Sequence, residues 1–178
     1  NSFTMNANGV IRQAASGSLT ASAVSLTANN VAADADAMGT SSDPLALIVP
    51  GAVTASAPNG GNVWLSSAGD FNATSISAAG AISILSGTGG TGNINVGNIS
   101  SSDTVTLGAA TGASGMGDVN VGTITATNSV NITAGGAGGT GAIVDSNSVD
   151  LNITTNQLTM TAIDGIGNAE TFEVDAGS

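Results

Sequence analysis

The chain has 178 residues, 41% of them hydrophobic and 7% charged, so it carries enough apolar material to bury a core despite its Gly, Ser and Thr content. One cation, Arg12, stands against twelve carboxylates for a formal net charge of −11, which argues against nucleic acid as a partner because phosphate neutralisation needs clustered Lys and Arg. The absence of Cys removes disulfides, thiolate metal sites and thiol catalysis, and the absence of His and Tyr leaves only carboxylates, Ser, Thr and Arg12 for acid–base or nucleophilic work.

In chain order the strand signals are short and alternate apolar with Ser, Thr or Asn. They begin at Val63-Trp64-Leu65 and continue through Ile82-Ser83-Ile84, Ile94-Asn95-Val96 and Val105-Thr106-Leu107. Val119-Asn120-Val121, Val130-Asn131-Ile132 and Leu158-Thr159-Met160 complete the series. This period of two predicts half-buried strands. Gly-rich stretches from 86 to 92, 108 to 117 and 135 to 141 separate them at matching phases and predict tight corners.

The strands recur. Gly92-Asn93-Ile94-Asn95-Val96-Gly97-Asn98-Ile99 returns as Gly117-Asp118-Val119-Asn120-Val121-Gly122-Thr123-Ile124, at an offset of 117 − 92 = 25. Ile94/Val119, Val96/Val121, Ile99/Ile124, Val105/Val130 and Leu107/Ile132 are apolar pairs in that one register, and the polar residues between them read as free to vary. A period of this length without a helical pattern predicts an all-β chain wound one coil per repeat, roughly 24 to 31 residues per coil. The expected coils start near Gly61, Gly92, Gly117 and Gly141, with the first lengthened by insertion, and residues 1–178 form a single β-solenoid segment. About seven coils at about 4.8 Å each make a rod on the order of 35 Å long.

A longer repeat is also legible. Val24-Ser25-Leu26-Thr27-Ala28 is similar to Leu158-Thr159-Met160-Thr161-Ala162, and the run from Met38 to Leu47 is similar to the run from Ile166 to Val174. The expectation from it is a segment cut from a longer array.

Ser18-Leu19-Thr20-Ala21, Val24-Ser25-Leu26-Thr27-Ala28, the turn Gly39-Thr40-Ser41-Ser42-Asp43-Pro44-Leu45, and Val130-Asn131-Ile132-Thr133-Ala134-Gly135-Gly136 resemble the passenger repeats of filamentous-haemagglutinin-type adhesins and other giant bacterial β-strand-repeat surface proteins. That resemblance covers nearly the whole chain and implies a right-handed parallel β-helix at the bacterial surface or outside the cell. The Asn-Pro-Asn motifs of that family's secretion domain are not visible.

Candidate chemistry is sparse. Parallel β-helix enzymes that cleave polysaccharides use carboxylate pairs, which singles out Asp34 and Asp36. These two are expected to be hydrated residues of an Ala-rich loop, with no third carboxylate and no basic partner beside them. The nonapeptide calcium motif fails at Gly89-Gly90-Thr91-Gly92-Asn93-Ile94, which lacks its Asp, and at Gly115-Met116-Gly117-Asp118, where the Asp is misplaced. Thr-x-Thr pairs such as Thr104/Thr106 and Thr123/Thr125 suggest a flat ice-binding ladder, but Thr106 falls over Asn131 and breaks it. The Asn-x-Ser/Thr triplets at Asn72, Asn98, Asn131 and Asn152 read as products of the alternating composition rather than as glycan acceptors.

The expectations are therefore a structural segment of a secreted or surface-exposed fibre, stalk or adhesin, not an enzyme, with no cofactor, no metal and no membrane span. The expected partners are neighbouring copies or repeats of itself by end-to-end stacking, with host or matrix carbohydrate as a further candidate. The alternatives are a self-assembling extracellular filament or sheath subunit, and a carbohydrate-binding or depolymerising β-helix.

Overall fold

The structure, a computed structural model, describes residues 1–14, 16–29, 32, 35–148, 150–167 and 171–177. The strands in chain order are β1 (Ser2–Ala7), β2 (Leu19–Thr20), β3 (Ala23–Ala28), β4 (Asp36–Met38), β5 (Leu45–Ile48), β6 (Val53–Ala57) and β7 (Asn62–Ser66). They continue as β8 (Phe71–Ala78), β9 (Ile82–Ser86), β10 (Ile94–Ser101), β11 (Thr104–Ala109), β12 (Val119–Val121) and β13 (Thr123–Ala126). The last are β14 (Ser129–Ala134), β15 (Ala142–Asp145), β16 (Ile153–Thr155), β17 (Gln157–Ala162), β18 (Gly165–Ile166) and β19 (Val174–Ala176).

Every pairing is parallel, and the chain alternates between two sheets as it winds. One sheet has 11 strands along the path β1-β3-β6-β8-β10-β12-β15-β18, with β13, β16 and β19 continuing beside it; the other has 8, in the order β17-β14-β11-β9-β7-β5-β2 with β4 on β7. Strands that neighbour in space are one coil apart in sequence, so the fold is a parallel stacked-coil β-solenoid of about seven turns. No helix occurs among the described residues.

The alternation explains the core. Inward positions of β3, β6, β7 and β14 are buried while the residues between them are only half-covered, so each strand presents one face to the axis. Stacking then aligns like with like. Ile94 pairs with Val119, Ile99 with Ile124, Val105 with Val130 and Leu107 with Ile132, and all eight are at most 1% exposed. Gly122 N donates to Val96 O at 3.0 Å, which sets Val96 level with Val121. Val, Ile, Leu and Ala fill this narrow interior; Phe71 is the largest fully buried side chain.

Two parts of the expected phase need correction. Gly92, Gly117 and Gly141 do stack: a Cβ on Gly117 would stand 2.3 Å from Gly92 O, and one on Gly141 would stand 2.4 Å from Gly117 O. Gly61, however, lies against Gly80, whose Cβ would come within 2.8 Å of Gly61 O, and Val63 pairs with Ile82 only 19 residues on. That coil is short, not lengthened. Coil lengths run from those 19 residues to the 29 between Val24 and Val53, because corners absorb the differences while the strand faces stay in register.

The longer repeat is half a coil out of phase. β3, which carries Leu26, belongs to the 11-stranded sheet, whereas β17, which carries Met160, belongs to the 8-stranded one. Similar strands recur on opposite sides of the axis, since both sides impose the same alternation. Asn168, Ala169 and Glu170 of the second copy lie outside the described residues.

Candidate functional site

Asp36 is not the hydrated loop residue expected from sequence. It opens β4, and its Oδ1 accepts the indole N–H of Trp64 at 2.6 Å and the Asn62 amide at 3.3 Å. Arg12 approaches Asp36 Oδ2 at 3.8 Å, donates to the Asp36 carbonyl at 3.2 Å and also bonds the Gly39 carbonyl. The lone cation and the lone Trp thus meet on one carboxylate and tie three successive coils together. The physical reason is register: β4 stacks on β7, with Asp36 opposite Asn62, and Trp64 two residues on shares the outer face with Asn62. Asp34, the other carboxylate singled out, lies outside the described residues.

The polar residues between the apolar pairs are also held, contrary to the expectation that they vary freely. Asn95 donates to Asn72 at 2.7 Å and Asn120 donates to Asn95 at 2.7 Å, forming a carboxamide ladder on the outer face. At the corner before it, Asp70 accepts the Asn93 backbone N–H, Asn93 accepts that of Asp118, and Asp118 accepts that of Ala142, each at 2.8 Å. Each side chain satisfies a backbone donor one coil on, at a bend where ladder bonds run out. The signal was present in the sequence as Asn93/Asp118 and Asn95/Asn120 at the apolar offset.

Sequence reading also missed a hydroxyl column. Thr27, Ser56, Ser77, Ser100, Thr125 and Thr154 are successive partners along the 11-stranded sheet, flanked by Asn6 at one end and Asp175 at the other. The broken ladder expected at Thr106, whose partner is Asn131, belongs to the opposite sheet.

Near the last coil, the fully buried Asn152 amide meets Asp145 Oδ1 and Asn147 Oδ1, each at 2.8 Å, while its own oxygen accepts the Glu173 N–H at 3.0 Å. Buried Asp145 Oδ2 and Glu173 Oε2 have no hydrogen-bond partner among the described residues. Asn152 is therefore closed to glycan attachment. No group of three or more His, Cys, Asp or Glu residues gathers as a metal site among the described residues, and no described helix is long and apolar enough to cross a membrane.

The remaining feature is the pair of ends. The inward column Met5-Leu26-Ala55-Ile76-Ile99-Ile124-Ile153-Val174 is at most 2% exposed along its middle, yet Met5 is 40% and Val174 39% exposed. Around Met5 an open groove of about 270 Å³, lined by Phe3, Ile11, Leu19, Leu26 and Leu45, leads into the core. At the other end Ile163 and Ile166 are 48% and 44% exposed. Searches with family models, curated proteins and solved structures match nothing to this chain, so its solenoid architecture is what agrees with the resemblance to β-strand-repeat surface proteins.

Proposed function

We propose that this chain is a rigid structural segment of a secreted or surface-exposed bacterial fibre, stalk or adhesin, working as a non-catalytic rod. One observation carries the reading: the inward column Met5-Leu26-Ala55-Ile76-Ile99-Ile124-Ile153-Val174 is apolar at every position, so each coil supports the next and length grows with coil number. Such a body transmits load and holds a distal element away from its anchor. Asp36, one of the two carboxylates singled out for polysaccharide cleavage, is engaged as a structural pin by Trp64, Asn62 and Arg12, which supports the structural reading over a depolymerising one.

Surface display of the chain fused to an outer-membrane anchor tests the proposal. The expected result is a terminal epitope moved outward by about 35 Å. An epitope left at the level of the anchor, or reproducible cleavage of a polysaccharide lost on Asp36→Asn, would replace it with one of the alternatives.

A further inference from the structure

We infer that Met116 is a modification site at which a peroxide places one oxygen on the thioether sulfur while the solenoid stays folded. The inference concerns a corner in the middle of the rod and does not depend on where the rod is displayed.

Composition narrows the candidates. In a chain without Cys, oxygen transfer from a peroxide falls chiefly on the four Met. Met38 is fully buried in β4, bridged to Ile11 on one side and paired with Val63 on the other. Met116 is the opposite case, 50% exposed. Gly115 and Gly117 flank it and have no side chain to shield its sulfur.

The backbone at this corner is nevertheless fixed. Met116 N donates to Gly90 O at 3.0 Å, Met116 O accepts from Gly92 N at 3.1 Å, and Gly117 N donates to Thr140 O at 3.1 Å. These bonds join Met116 to the coils on either side, and an oxygen added to its side chain breaks none of them. The neighbours also suit the product. Thr91 and Thr140 bridge to Met116 from the two adjacent coils, and both are exposed. A sulfoxide is polar and accepts hydrogen bonds, so oxidation makes the middle member of this column like its two neighbours. At Met38 the same oxygen would enter an apolar core without a donor to meet it.

The chemistry is a two-electron transfer. With hydrogen peroxide, the sulfur lone pair attacks one peroxide oxygen, the S–O bond forms and the O–O bond breaks. The proton on the transferred oxygen passes to the departing hydroxide, so the sulfur is oxidised to the sulfoxide and the peroxide is reduced to water.

Hydrogen peroxide applied to the purified chain, followed by pepsin digestion and mass spectrometry, reads each methionine separately. Met116 is expected to gain one oxygen at least about tenfold faster than Met38 in the folded protein, and the two rates are expected to converge in urea, where both are exposed. Equal rates in the folded protein, or a gap of the same size in urea, overturns the inference. Thermal melts of the treated wild type and of treated Met116→Leu isolate the effect of the Met116 sulfoxide from oxidation elsewhere. The two are expected to agree within about 2 °C. A melt lowered by more than about 5 °C in the wild type alone would show that the corner does not tolerate the oxygen, and also overturns the inference.

Discussion

Trp64 donates its indole N–H to Asp36 across 28 residues of chain, at 2.6 Å, on the outer face of the solenoid. A charge-assisted bond of this kind contributes more than a neutral one, and the Asp36 side chain is 27% exposed, so solvent screens the added attraction of Arg12. Asp36→Ala is expected to cost about 1–3 kcal/mol and to shift the fluorescence of the only Trp. Asp36→Asn, which keeps an acceptor for Trp64, costs less. Urea unfolding followed by Trp64 emission measures both, and equal stability of all three proteins would show that the pin contributes nothing.

Inward and outward positions of one strand separate packing from surface polarity. Val119→Asp puts a carboxylate at a fully buried position and is expected to cost more than about 4 kcal/mol or prevent folding. Asn120→Asp, one residue on, removes the amide that bonds Asn95 and sets a carboxylate against the Asn95 oxygen. Its expected cost is about 1 kcal/mol, and equilibrium unfolding of the two variants checks the ratio.

Close approach of coils at a corner predicts the effect of a single methyl. A Cβ on Gly117 would meet Gly92 O at 2.3 Å, a backbone atom that moves only if two coils separate, so Gly117→Ala should cost about 1–3 kcal/mol. Gly112→Ala, with nothing within 4 Å, should change stability by less than about 0.5 kcal/mol. Matched thermal melts distinguish them.

Oxygens of Asp145 and Glu173 that have no partner among the described residues make the coil around them a weak point. Each buried group without a partner costs about 1–3 kcal/mol. Amides of Val174–Ala176 should therefore exchange with solvent well before those of Ile99 and Ile124 in the middle coils. Hydrogen exchange read by mass spectrometry gives the order, and uniform protection along the rod would contradict it.

Periodicity in the sequence determined the solenoid and the apolar pairs of its middle coils. Parallel stacking brings residues one coil apart face to face, so Ile94 and Val119 must share a burial environment and therefore a chemistry. Where coil length drifts that signal fails: Gly61 was matched to Gly92 although the chain closes its coil at Gly80, since corner length leaves the strand faces unchanged. Alternation alone could not say which of the two sheets a strand joins, and so β3 and β17 looked equivalent while lying on opposite sides of the axis. Only the tertiary structure decided that Asp36, Trp64 and Arg12 meet, that the hydroxyls from Thr27 to Thr154 form one column, and that Met5 and Val174 share one apolar column. Those relationships sum the lengths of several unequal corners, and each corner is set by local backbone geometry and close packing that no periodic pattern encodes.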